Sequence, residues 1–160
     1  MALPYFTLVH ILISLVGIAS GFGVLSGLLA AKLFPRWTAV FLATTAATSV
    51  TGFFFPFQGI TPGIVVGVLA LLALAAASYA LYVRHLAGVW RKAFVIGAVL
   101  SLYFNCFVLV AQHFQKVPAL SAIAPTPATP PFAITQAGVL LVFIWLGTIA
   151  MNRFGEGRGG

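Results

Sequence analysis

Four long stretches of this chain carry no charged side chain: residues 1–31, 37–83, 93–115 and 117–152. Runs that are apolar all round must be hidden from water along their whole circumference. A soluble fold of 160 residues has no core large enough for four of them. Charged residues make up 6% of the chain and apolar ones 62%, whereas soluble domains carry about 25% charged residues. Lipid is the solvent that suits this composition, so the expected class is an all-α, polytopic membrane helical bundle. A transmembrane barrel would show alternating segments of about ten residues, and the runs here are uniform.

With about twenty apolar residues per crossing, the runs divide into five transmembrane helices, near 5–34, 37–55, 62–84, 91–115 and 132–152, within one integral-membrane domain over 1–160. The joins at Pro35-Arg36 and at 85–90 are short, which makes consecutive helices antiparallel neighbours. Lys32, Arg36, Arg84, Arg91, Lys92, Arg153 and Arg158 fall on one side of such a bundle, and Lys116 falls on the other. The positive-inside rule then puts the N-terminus outside and the C-terminus inside. In a bacterium this is a multi-pass protein of the inner (cytoplasmic) membrane, with Trp37 and Trp90 as interfacial anchors on the inner side. The first run is expected to stay on the chain, because it lacks a basic leader and its positive charges follow it.

The same features exclude several kinds of chemistry. The basic residues are scattered at the ends of apolar runs, which is a topology signal, so no nucleic-acid partner is expected. One cysteine, Cys106, permits no internal disulfide. Asp is absent and the single Glu, Glu156, lies in the tail, so no intramembrane acid is available for proton coupling. Gly17-Ile18-Ala19-Ser20-Gly21 resembles a serine-nucleophile loop only superficially, since Ser20 would lie in mid-helix, and no phosphate-binding glycine loop is present. No catalytic residue is assigned.

Candidate binding features concentrate in 103–131. Asn105 and Gln112 are seven residues apart and share a helix face. An amide in lipid must find a partner. With Gln136 near the start of the last helix, and with Tyr103, they are expected to form one polar patch in the outer half of the bundle. His10 and His113 should lie at similar outer depth, and Cys106 is seven residues before His113. Together these three could ligate a haem b or a metal ion. No cofactor is the first expectation, because no paired-His spacing and no Cys-x-x-Cys-His run is present. His85 is read as interfacial, within a cluster with Arg84, Trp90, Arg91 and Lys92 that meets headgroups or controls topology.

Gly17 and Gly21, then Gly23 and Gly27, form two small-xxx-small pairs suited to close helix packing. Thr44, Thr48 and Thr51 share a face of the second helix, either as interhelical glue or as the lining of a pathway. The aromatic stretch 53–62 contains Phe53, Phe54, Phe55 and Phe57 between helices and should make a tight turn, since Pro56 ends one helix and Pro62 begins the next. The Pro-rich outer loop 117–131 should be extended, as a linker, a lid or a docking surface, with no regular helix.

Several elements stand out together: Phe53-Phe54-Phe55-Pro56, His85-Leu86-Ala87-Gly88 with Trp90-Arg91, Tyr103-Phe104-Asn105, Phe107-Val108-Leu109-Val110 with Gln112, Lys116-Val117-Pro118-Ala119-Leu120, Ala124-Pro125-Thr126, and Pro130-Pro131-Phe132 with Gln136. In these the chain resembles a family of small uncharacterised proteobacterial inner-membrane proteins, over most of its length. The resemblance implies a bacterial inner membrane and the outer patch as the distinctive surface, and it implies no activity. The leading expectation is a non-catalytic membrane protein, an accessory subunit or a binder of lipid or apolar small molecules through its outer face. Its partners would be the lipid bilayer and another membrane protein or a second copy. A small permease or channel subunit, or a haem- or metal-binding redox protein, are the alternatives.

Overall fold

The computed structural model describes residues 2–56 and 59–157, and among these every regular element is helical. The helices are α1 Ala2–Leu29, α2 Pro35–Gly52, α3 Pro62–Ser78, α4 Val89–Lys116, α5 Pro118–Ile123 and α6 Pro130–Ala150. Two of them are prolonged by a five-residue π-turn, Tyr79–Val83 after α3 and Met151–Gly155 after α6. Phe57 and Gln58 of the aromatic stretch, and Arg158 of the charge count, lie outside the described residues.

Helix starts follow local chemistry. Proline is the first residue of α2, α3, α5 and α6, a position where its missing N–H is no loss and its fixed φ suits the turn. Thr61 caps α3 by accepting the Ile64 N–H at 3.3 Å. The first helix ends at Leu29, five residues before the expected 34. Ala31 adopts the left-handed region (φ 56°), and the Lys32 N–H returns to the Gly27 carbonyl at 2.8 Å, which closes a Schellman turn. Gly27 allows this closure, since a Cβ there would sit 2.8 Å from the Lys32 carbonyl oxygen. The loop 117–131 also differs from expectation. Pro118 starts a short helix over Pro118–Ile123, because a proline at the first position forbids nothing that follows it.

The long helices alternate in direction. The N-terminal half of α1 meets the end of α2 where His10 approaches Thr51, and Phe114 near the end of α4 packs on Phe132 at the start of α6. At the opposite end Arg153 reaches Leu29, and Arg91 reaches Phe154. α1, α2, α3 and α4 close a ring in which each packs on the next, and α6 lies outside it against α4 and α1. Glycines set the closest approaches. At Gly97 of α4 a Cβ would lie 2.6 Å from the Ala73 carbonyl oxygen of α3, and at Gly21 it would lie 2.6 Å from Leu102 of α4. Gly23 accommodates Trp37, and Gly17 makes room for Thr44 and Thr45. All four glycines of the small-xxx-small pairs therefore face neighbours within this chain.

Polarity is arranged inside out. Ser20, Thr38, Thr45, Ser49, Ser101, Asn105 and Gln136 are buried, while Leu72, Leu141, Trp145, Ile134 and Val89 are exposed. Several buried hydroxyls are satisfied within their own helix, as with Ser20 to Val16, Thr38 to Phe34 and Ser101 to Gly97, a bond that costs little in lipid. Among the described residues, four helices are long and apolar enough to cross a membrane: Pro4–Leu29, Pro62–Val83, Val89–Lys116 and Pro130–Gly155. α2, with its arginine and six hydroxyl residues, is not among them. The structure is thus an all-helical bundle with four candidate crossings where five were expected.

Candidate functional site

Between the four ring helices, towards the Lys116 end, lies a cavity of about 600 Å³, a size that suits a drug-sized or lipid-like molecule. α1 contributes His10, Ile11, Ser14, Leu15 and Ile18, and α2 contributes Thr48, Ser49 and Gly52. Phe53 and Phe55 follow from the turn, α3 presents Ile64, Gly67 and Ala70, and α4 presents Phe104, Asn105, Leu109, Gln112, His113 and Lys116. Towards the basic end the ring is filled by Val24, Leu25, Leu28, Phe41, Leu74, Phe94 and Leu102, so the cavity is a blind pocket in one half of the bundle.

Small residues and one amide shape its depth. The Asn105 side-chain N–H donates to Thr45 Oγ1 at 3.1 Å and ties α4 to α2. Gly17 faces this bond, where a Cβ would come within 3.4 Å of the Thr45 hydroxyl and 3.7 Å of the Asn105 nitrogen. Thr44 and Thr51 return their hydroxyls to Val40 and Ala47. Thr48 does not: its Oγ1 is buried without a hydrogen-bond partner.

Each of the two histidines of the cavity has a partner for its Nδ1. His113 Nδ1 lies 2.8 Å from the Leu109 carbonyl oxygen, which can only accept, so Nδ1 carries the proton. His10 Nδ1 lies 2.8 Å from Thr51 Oγ1, whose single hydrogen is given to the Ala47 carbonyl at 2.6 Å. With that hydrogen on Ala47, Thr51 accepts and His10 carries a proton on Nδ1. With Nδ1 as the donor, Nε2 is the acceptor of each ring in its neutral form. Phe55 sets the His10 ring edge-on at 5.0 Å, and Gly52 leaves room for it, with His10 Cε1 lying 3.8 Å from where a Cβ would be.

The expected polar patch is distributed over two faces of α4. Asn105 and Gln112 line the cavity. Tyr103 lies towards α6 among Phe104, Phe107 and Phe143. Gln136 donates from Nε2 to the Phe107 carbonyl at 3.0 Å and leaves its own Oε1 buried without a partner. The helical step explains the separation, because residues two apart point about 200° away from each other. Cys106 is buried in the packed core and is not in the cavity wall. Of the three candidate ligands the cavity thus brings together His10 and His113, and no group of three His, Cys, Asp or Glu occurs among the described residues. Ser14, Ser49 and Lys116 were not singled out as cavity residues from the sequence. Lys116 carried the one available signal, a lone cation at the end opposite the other basic residues.

The basic end is occupied differently. Arg91 Nε donates to the Phe154 carbonyl at 2.7 Å with its guanidinium 4.3 Å from the Phe154 ring, and Arg153 donates to the Leu29 carbonyl at 2.9 Å. Both arginines satisfy carbonyls at helix C-termini, where a cation is favoured. Arg84 lies 5.3 Å over Trp90, which in turn packs edge-on against Tyr79. His85 is exposed and adopts positive φ together with Leu86. Comparison of the chain with family models, with curated proteins and with solved structures returned no match.

Proposed function

We propose that this chain is a non-catalytic membrane protein that binds an apolar or amphiphilic small molecule in the cavity between α1, α2, α3 and α4. The observation that carries the reading is the cavity itself: about 600 Å³, with apolar walls broken by a few polar groups and one cation. Binding sites for small molecules have that composition. The packed side chains on the far side of it favour a blind binding site over a through-pathway.

In this reading all five long helices cross the bilayer, with the N-terminus outside and the cavity in the outer leaflet. α2 crosses in spite of its hydroxyls because it buries Thr38, Thr45 and Ser49 against its neighbours and turns Trp37, Val40 and Val50 outward. The charge asymmetry supports the orientation, and a bacterial inner membrane is the setting that goes with it. Lipid covers the exposed faces, including the largely exposed α6.

Native mass spectrometry of protein released from detergent micelles tests the binding reading. Wild type should carry a retained small molecule, and Gly63→Phe should lose it. Gly63 lines the cavity, and a Cβ there meets nothing nearer than the Thr61 hydroxyl at 3.7 Å, so a side chain can start there without displacing the backbone. An empty wild type, or equal occupancy in both, overturns the reading. Orientation is tested in a Cys106→Ala background by impermeant maleimide labelling of intact cells, with one new cysteine at Ala122 or at Ala87. Labelling at Ala87 in place of Ala122 would reverse it.

A further inference from the structure

Building on the binding reading, we propose that the cavity selects an amphiphile whose polar end is a hydroxylated aromatic ring, of the phenol or quinol type. The hydroxyl donates to Nε2 of His10 or His113.

Hydrogen-bond bookkeeping in the cavity leads to this. A polar group inside an apolar site must be paired by its occupant or cost binding free energy, which bears on half-buried His10 more than on exposed His113. The Leu109 carbonyl, and Thr51 with its hydrogen on Ala47, favour the Nδ1–H tautomer in both neutral imidazoles. What each neutral ring can offer a ligand is then an acceptor. At these two positions ligands with only acceptors, such as ethers, esters or quinone carbonyls, meet lone pair against lone pair, and the donors the wall offers them are Thr48, Gln112 and Lys116. A ligand hydroxyl pairs with them.

The surroundings narrow the class further. Phe53, Phe55 and Phe104 are in the cavity wall, and an aromatic ligand ring packs on them edge to face. Ile11, Leu15 and Ile18 run along α1 on the same wall and provide an apolar track for an alkyl or isoprenoid chain. Lys116 is the one charged side chain in the wall, and no carboxylate lies at this end of the described residues. Its ammonium favours electron-rich oxygen over a cationic headgroup, which counts against amine ligands even though amines also carry donors.

The test compares 4-nonylphenol with its methyl ether, two probes that differ in the donor and hardly in shape. Binding is measured by titration calorimetry on protein in nanodiscs, with empty nanodiscs subtracted. One net hydrogen bond should make the phenol bind about fivefold to tenfold more tightly than the ether. In the His10→Phe, His113→Phe double variant this preference should fall towards unity. Equal binding of the two probes by wild type overturns the inference while leaving the cavity reading in place. A preference that survives in the double variant overturns the role of the histidines. Failure of both probes to bind overturns the cavity reading itself. Should the double variant fail to fold, the wild-type comparison of phenol with ether still decides the donor preference.

Discussion

Gly97→Ala should be among the most damaging single-methyl substitutions in this chain. Gly97 is buried where α4 crosses α3, and an added Cβ would lie 2.6 Å from the Ala73 carbonyl oxygen, 2.9 Å from the Ala77 Cβ and 3.0 Å from the Ala77 nitrogen. None of these atoms can rotate aside, since two belong to the backbone and the third is fixed to it. The two helices would have to separate by the better part of an ångström along their contact. Alanine gains about 1 kcal/mol over glycine in helix propensity. Overpacking of a filled interior costs about 1–3 kcal/mol and occasionally more, and an obstacle made of backbone puts this site at the upper end. The expected net loss is about 2 kcal/mol, which for a chain of this size lowers the melting temperature by roughly 4–8 °C. Cys106 supplies the assay, because it is the single cysteine and is buried. A thiol-reactive fluorogenic dye reports its exposure during heating in detergent. Gly138→Ala is the control, with nothing within 4 Å of the new methyl, and it should melt at or above wild type. If Gly97→Ala melts no lower than wild type while the control behaves as stated, the α3–α4 approach is not as close as described and the reasoning fails.

Three further outcomes are expected. Ala31→Gly relieves a left-handed φ of 56° at the α1 C-terminus and should stabilise by about 1 kcal/mol, read as a higher melting temperature in the same dye assay. Arg91→Lys removes both the 2.7 Å bond to Phe154 and the planar contact with its ring. Lysine cannot reproduce that pairing, so limited proteolysis should cut at the C-terminal π-turn sooner than in wild type. Asn105→Leu and Thr45→Val break the same 3.1 Å bond. Their double-mutant cycle should give a coupling of about 0.6 kcal/mol, the usual size for such bonds between membrane helices, and a coupling of zero would mean that the two side chains do not pair.

Much of the helix pattern could be read without coordinates. Pro62 marked the start of α3 as expected, because a fixed φ and a missing donor act locally. The end of α1 could not be read that way. Leu33 and Phe34 are apolar again after Lys32, yet the helix stops at Leu29, since the stop depends on Gly27 letting the chain fold back over it. Hydropathy registers the greasiness of a residue and is blind to that turn. Gly97 was passed over for a similar reason. Its small size matters only because Ala73 and Ala77 of another helix lie against it.

The candidate site shows where the division falls. The face shared by Asn105 and Gln112 follows from the 3.6-residue repeat, and both residues line the cavity. The fate of Tyr103 and Gln136 was decided by which helices flank α4. With α6 on one side and α1, α2 and α3 on the other, Gln136 meets the Phe107 carbonyl while Asn105 pairs with Thr45. Likewise the sequence could name His10 and His113 as polar groups at one depth. Only the packed bundle sets Nδ1 of each ring against a particular partner, Thr51 for His10 and the Leu109 carbonyl for His113. Solvent preference and helical period are properties of consecutive residues, so they are written in the chain. The pairing of donors with acceptors across helices depends on rotation and contact between segments far apart in sequence, and these are set when the helices pack.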